Sequence, residues 1–150
     1  MVTFSFLLFS CDNTGECTDA EPVSSLNIRF VKRDTTAKTG KKDTLLTFQR
    51  IFSLSATRAF VNAGTRLSKT ALDFDPGSDE TSFIFDRSTD NETIRDTLVM
   101  GYRRQYRVLS PKCPLRVEFT QIRLQSHSFD SLYINPNAAD ENTLEVYFAE

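Results

Sequence analysis

From residue 26 onward one pattern dominates the chain: apolar and polar side chains alternate with a period of two. Leu26, Ile28 and Phe30 alternate with Asn27 and Arg29. Leu46, Phe48, Phe52 and Leu54 share one parity, against Thr47, Gln49 and Ser53 on the other. Phe83 and Phe85 follow, in Thr81-Ser82-Phe83-Ile84-Phe85. The longest run puts Ile94, Leu98, Met100, Tyr102, Tyr106 and Val108 on even positions, opposed by Arg95, Thr97, Arg103, Gln105 and Arg107. Leu115, Val117 and Phe119 then give way to Ile122 and Leu124, and Leu144, Val146 and Phe148 end the pattern. Successive side chains of a strand point to opposite faces, so such a chain folds as half-buried strands and not as helices. The change of parity near Thr120 predicts a β-bulge, where one extra residue flips the alternation.

Turn chemistry separates these runs. Asp75-Pro76-Gly77-Ser78-Asp79 reads as a tight turn, and Thr89-Asp90-Asn91-Glu92 and Asn135-Pro136-Asn137 as further breaks. Lys38-Thr39-Gly40-Lys41-Lys42-Asp43 reads as a basic loop. Several short strands with polar turns predict an all-β fold, an antiparallel β-sandwich of immunoglobulin-like type with seven to nine strands. A barrel is the alternative. The chain has 13 Phe, 4 Tyr and no Trp, so phenylalanine supplies most of the large apolar surface of the core.

Charge excludes some functions. The chain carries 18 basic and 20 acidic residues, a net charge of −2, which does not suit a protein that holds nucleic acid phosphates. With 5 Gly and 1 His among 150 residues, little material exists for a phosphate cradle or a histidine-based metal site. No cofactor is expected.

The first ten residues are uncharged and rich in Val2, Phe4, Phe6, Leu7, Leu8 and Phe9; Cys11 follows, and then Asp12, Asn13, Thr14, Gly15 and Glu16. An apolar stretch, a small residue and a cysteine resemble the end of a bacterial lipoprotein signal peptide, with the lipobox at Leu8-Phe9-Ser10-Cys11. Phe9 is bulkier than the usual occupant of its place. The resemblance implies that Cys11 takes a diacylglycerol thioether and becomes the mature N-terminus. Acyl chains contribute about 0.8 kcal/mol per buried methylene, enough in combination to hold a domain on a bilayer. The basic segment that opens a signal peptide is missing before Val2, which predicts a true start upstream of Met1. The competing reading makes residues 2 to 9 an ordinary first strand. The organisation expected is a truncated signal peptide over 1–10, a tether over 11–25 and a β-sandwich over 26–150.

With Cys11 lipidated, Cys17 and Cys113 remain. An even remainder in an exported chain predicts a disulfide between them. Closing a loop of nearly 100 residues contributes about 4–5 kcal/mol in the chain-entropy view. A Cys11–Cys17 bond is a weaker alternative, and so are two buried free thiols.

The order of landmarks carries a family resemblance. Cys11-Asp12 and Cys17 lead into Leu26-Asn27-Ile28-Arg29-Phe30, followed by Thr81-Ser82-Phe83-Ile84-Phe85, Arg95-Asp96-Thr97-Leu98 and Gly101-Tyr102-Arg103-Arg104. Leu109-Ser110-Pro111-Lys112-Cys113 and Phe129-Asp130-Ser131 come after. This order resembles a family of small Bacteroidetes lipoproteins known only as a domain of unknown function. Pro114 stands where that pattern has Gly. The resemblance implies a cell-envelope location and brings no catalytic residue with it.

Three sets of side chains have the right types for chemistry. Ser126-His127-Ser128-Phe129-Asp130 contains a nucleophile, a base and a carboxylate, but neighbours on one extended strand alternate faces and do not converge as a triad must. No G-x-S-x-G elbow is present. Asp73, Asp75, Asp79 and Glu80 around Pro76-Gly77 form a weak calcium candidate whose spacing is not that of an EF-hand. Arg103, Arg104 and Arg107, interleaved with Tyr102 and Tyr106, form a basic-aromatic stretch able to meet an anionic polysaccharide or lipid headgroups; on a strand, Arg104 falls on the apolar side and needs a partner or an edge. The expectation is a non-enzymatic envelope lipoprotein with a structural or binding role. Its partners are a membrane reached through the lipid and a glycan or envelope protein, with no nucleic acid. A carbohydrate-binding or adhesive surface module is the alternative, and a hydrolase of unrecognised type the third reading.

Overall fold

Strand pairing follows the alternation closely, and departs from it where a bulge intervenes. A computed structural model describes residues 25–33, 36, 38, 40–55, 59–108, 116–134 and 143–148, with 131, 133 and 134 described by backbone only. Cys11, Cys17 and Cys113 lie outside these residues, and with them the lipidation and disulfide expectations.

Ten strands are present among the described residues: β1 (Ser25–Arg33), β2 (Lys41–Asp43), β3 (Leu46–Ser53), β4 (Thr65–Leu67), β5 (Lys69–Asp73), β6 (Glu80–Ser88), β7 (Thr93–Arg107), β8 (Arg116–His127), β9 (Ser131–Ile134) and β10 (Thr143–Phe148). They form two five-stranded sheets. One runs β2-β1-β10-β9, with β5 also paired to β1; the other runs β4-β3-β6-β7-β8. The sandwich expected from the alternation is therefore the architecture. Three of the ten strands are pieces of three or four residues, beyond the seven to nine expected. One pair is parallel: β1 and β10 run side by side in register from Asn27↔Thr143 to Lys32↔Phe148. The remaining pairings are antiparallel.

Inward-facing side chains of both sheets meet in one core. Leu26, Ile28 and Phe30 of β1, Leu72 of β5 and Leu144 and Val146 of β10 face Phe48 and Ile51 of β3, Phe83 and Phe85 of β6, and Leu98 and Met100 of β7. The Phe30 ring lies 5.0 Å from Phe48 and 6.5 Å, edge-on, from Phe85. Phe129, after β8, packs edge-on against Phe85 and Phe148. Offset and edge-to-face arrangements suit the ring quadrupole and add to the area term.

Two expectations are corrected. Leu46, Phe48, Phe52 and Leu54 do not share a face. A bulge at Gln49 shifts the register, because Phe48 pairs with Arg87 while Arg50 pairs with Asp86. After it the inward parity passes to Ile51 and Ser53, Arg50 lies over the half-buried Phe52 ring, and Leu54 is 68% exposed. Second, Lys41–Asp43 is not loop but a short strand on the edge of β1. Its charges meet opposite charges there: Lys41 Nζ donates to Glu145 at 2.6 Å, and Asp43 pairs with Arg29. Strands β4 and β5 were not foreseen, their alternation being three to five residues long.

Two buried carboxylates beside the core behave oppositely. Asp86 accepts from Arg95 Nε at 2.7 Å and Arg50 Nε at 2.6 Å, and the Arg95 hydrogen bond leads in holding its carboxyl below the usual range. Asp96 sits 3.7 Å from Arg87, too far for a hydrogen bond, and burial pushes its carboxyl up against the pull of Arg87. Arg87 in turn lies over the Phe148 ring.

Phe30→Ala is expected to cost about 3–5 kcal/mol in chemical denaturation, since it opens a cavity between the sheets. Leu54→Ala, on the surface, should stay within about 0.5 kcal/mol. The two aspartates should show opposite pH dependence. The stabilisation from Asp86 is complete above its unfolded value near 3.8 and is lost as pH falls through the lowered folded value. The raised folded value of Asp96 makes stability fall as pH rises from about 3.8 through that value. Relative to wild type, Asp96→Asn should therefore gain stability as pH rises from about 3.8 through the raised folded value of Asp96, with a constant gain above, and Asp86→Asn should lose it as pH rises from the lowered folded value towards about 3.8, with a constant deficit above.

Candidate functional site

β7 is long enough to outrun its neighbour. It pairs with β6 from Thr93 to Gly101, and beyond Gly101 it pairs with β8 alone, out to Arg107↔Arg116. The register against β8 shifts twice, between Val99 and Met100 and between Gly101 and Arg103. At the second shift Gly101 pairs with Arg123 and Arg103 with Thr120, so β8 carries an extra residue there. This is the bulge that the parity change near Thr120 predicts. Gln121, inside it, has φ 51° and is the one non-glycine residue with positive φ among the described residues. Side chains other than glycine resist that region, and bulges bend and twist the strand that carries them.

The bend leaves an open depression of about 520 Å3 between the hairpin and the β5–β6 turn, lined by Tyr102, Arg103, Arg104 and Tyr106 of β7, Gln121 and Arg123 of β8, and Asp79. A closed hydrogen-bond circuit fixes its floor. The Asp75 N–H donates to Thr81 Oγ1 at 3.0 Å, Thr81 Oγ1 and the Tyr102 hydroxyl share a bond of 2.6 Å, and that hydroxyl donates to the Asp75 carbonyl at 2.9 Å. The circuit closes in one sense only, with Thr81 donating to Tyr102. Burial pushes the Tyr102 phenol up, so it stays protonated and able to donate. The Tyr102 ring packs against Phe74 and Phe119, which ties the circuit to the core. The Tyr102 N–H donates to the Asp79 carbonyl at 3.0 Å, holding the turn against the strand.

The arginines divide by partner. Arg104, expected to need a partner, has three: Asp79 at 2.7 Å, the Pro76 carbonyl at 3.0 Å and the Tyr106 hydroxyl at 3.3 Å. Arg107 pairs with Glu118 at 3.3 Å and does not line the depression. Among the described residues, Arg103 and Arg123 have no ion-pair or side-chain hydrogen-bond partner. Gly101 makes room beside them: a Cβ there would stand 2.3 Å from Gln125 Nε2 and 3.3 Å from Arg123 Nε. Tyr106 is 58% exposed, its hydroxyl held by Arg104. The result is a concave polar surface with two unneutralised guanidinium groups, one amide, one exposed ring and one carboxylate already engaged.

The other candidates are dispersed. Asp73 is exposed on β5, Asp75 Oδ1 accepts the Gly77 N–H at 2.7 Å, Asp79 holds Arg104, and Glu80 is exposed at the start of β6. Among the described residues no three His, Cys, Asp or Glu side chains gather to hold a metal ion, and of the acids around Pro76-Gly77, Asp75 is engaged by the Gly77 N–H and Asp79 by Arg104. Ser128 Oγ accepts the Thr97 N–H at 2.8 Å, and no hydrogen bond joins His127 to Ser126, Ser128 or Asp130 among the described residues. Sequence reasoning found Tyr102, Arg103, Arg104 and Tyr106. It missed Arg123 and Gln121, which come to the same place only through the bulge, and it placed Asp79 in the Pro76-Gly77 turn and in a weak calcium candidate without seeing that it anchors Arg104. The parity change was the signal available for the first two.

Tyr102→Phe removes the hydroxyl from the circuit and leaves Thr81 and the Asp75 carbonyl short of a partner. It is expected to cost about 1–3 kcal/mol in urea unfolding, with accelerated amide exchange across residues 75 to 81. A loss confined to global stability, with exchange in the turn unchanged, would show that the circuit does not hold the turn.

No curated protein and no solved structure matches the chain. A family described as of unknown function, DUF6452, matches over residues 49–148, from β3 through β10. The chain belongs to this family, DUF6452.

Proposed function

We propose that the chain is a lipid-anchored binding module of the cell envelope, non-enzymatic, tethered through Cys11 and presenting the β7–β8 depression to an envelope ligand. The observation that carries the binding role is the pair Arg103 and Arg123, unpartnered among the described residues, on a concave surface built with backbone strain at Gln121. A left-handed non-glycine residue is costly and recurs at functional sites where the surrounding structure sustains it, and the two exposed guanidinium groups, without ion pairs of their own, are open to an incoming ligand. Nothing lining the depression pairs a nucleophile with a base, and its carboxylate is held by Arg104.

The tether rests on the sequence: the apolar run to Phe9, Ser10 before Cys11, and the resemblance to small Bacteroidetes lipoproteins. No helix among the described residues is long and apolar enough to cross a membrane, so attachment through acyl chains is the route that this reading needs. The alternative emphasis, a carbohydrate-binding or adhesive module, is favoured by the exposed Tyr106 ring, which lines the same depression and is held by Arg104.

Grown in its own host with radiolabelled palmitate, the wild-type protein should incorporate label and sediment with membranes, and Cys11→Ser should do neither. Equal labelling of both proteins, or of neither, overturns the anchor.

A further inference from the structure

Resting on the reading of the depression as a binding face, we infer that its ligand is a saccharide unit bearing a carboxylate or sulfate group, with the anion held by Arg103 and Arg123 and a sugar ring laid against Tyr106.

The charge argument comes first. The chain as a whole has a net charge of −2, yet the depression gathers three arginines and one aspartate. The aspartate is neutralised by Arg104 at 2.7 Å, which leaves two guanidinium groups facing solvent-filled space. All three cations are arginine. A guanidinium presents a rigid planar fork of donors that matches a carboxylate or sulfate edge and is weakly hydrated, so it suits a discrete anion at a fixed place.

Shape separates a sugar from a lipid surface. A bilayer of anionic headgroups calls for a flat or convex basic face. Here the cations line a concavity of about 520 Å3, within the range of roughly 300–1,000 Å3 typical of small-molecule clefts. The remaining lining groups also suit a polyhydroxylated ring. The Gln121 amide offers a donor and an acceptor, and the Tyr106 ring presents an apolar face beside polar edges. Arg104 steadies that ring through its hydroxyl at 3.3 Å, lowering the entropy that a ligand must remove. Gly101 adds to the pre-organisation: lacking a Cβ, it lets the Arg123 and Gln125 side chains lie close over the β7 backbone.

Titration of the 15N-labelled protein with oligogalacturonate, chondroitin sulfate, neutral oligogalactan and phosphatidylglycerol vesicles, followed by amide shifts, tests the inference. The expected result is saturable shifts at residues 79, 102–106 and 121–123 with the two acidic glycans or either of them, and none with the neutral one. Arg103→Gln and Arg123→Gln should each weaken binding about tenfold, the loss of one charge-assisted hydrogen bond. Arg66→Gln removes the same charge from the exposed strand β4 and should leave binding unchanged. Gly101→Ala, which displaces only flexible side-chain ends, should weaken binding while keeping the unfolding temperature close to wild type. If the neutral glycan binds as well, or if vesicles shift these residues and the acidic glycans do not, the ligand class is wrong and the binding face stands. If no probe shifts residues around the depression, or if Arg66→Gln weakens binding as much as the other two, the binding face itself is refuted.

Discussion

Burial of phenylalanine rings between two facing sheets is the constraint from which the other positions follow. Phe30 on one sheet meets Phe48 and Phe85 on the other, and Phe129 closes the end of the stack against Phe85 and Phe148. Each ring removes a large apolar area from water and must do so in a tilted or edge-on pose. That requirement fixes which face of every strand points inward, and a slip of one residue would turn the whole set out. It also explains why β1 and β10, far apart in the chain, lie side by side: only there do Phe30, Val146 and Phe148 reach the same core.

Bulges are where this rule is locally suspended, and they give the protein its surface features. The bulge at Gln49 moves the inward parity to Ile51 and puts Arg50 beside Asp86. The bulges of β8 bend the hairpin where it leaves β6, and the hollow lined by Tyr102, Arg103 and Arg123 forms at that bend. The same irregularities interrupt the hydrogen-bonding rim of β8, an edge strand, and so make it a poorer template for pairing with another chain. Tyr102 links the two levels, with its ring among Phe74 and Phe119 and its hydroxyl in the circuit that holds the Asp75–Asp79 turn.

The buried charges show how position outweighs residue type. Asp86 and Asp96 lie on the neighbouring strands β6 and β7 of one sheet. The first has two arginine hydrogen bonds that match its charge; the second has an arginine 3.7 Å away and the Ser128 hydroxyl, against deeper burial and the neighbouring charge of Asp130. Desolvation is similar in kind for both, and the donors within reach decide which way each carboxyl moves.

The strand character of the chain, the aromatic core, the Asp75-Pro76-Gly77 turn and the bulge near Thr120 were all legible in the sequence, because each depends on spacing over a few neighbouring residues. The turn chemistry and the period of two act locally, and no distant partner changes them. The bulge at Gln49 was not legible: the run from Leu46 to Leu54 alternates acceptably without it, and only pairing with Arg87 and Asp86 forces the extra residue. The conversion of Lys41–Asp43 from loop to strand depended on Glu145 and Arg29, one of them more than 100 positions away. The site divides the same way. The basic-aromatic stretch on β7 was visible as composition, but which arginine is neutralised and which stands open was decided by Asp79, Gln121 and Arg123. Those residues arrive from other strands and turns, and charge pairing is a property of distance in space, which the order of residues along a chain does not contain.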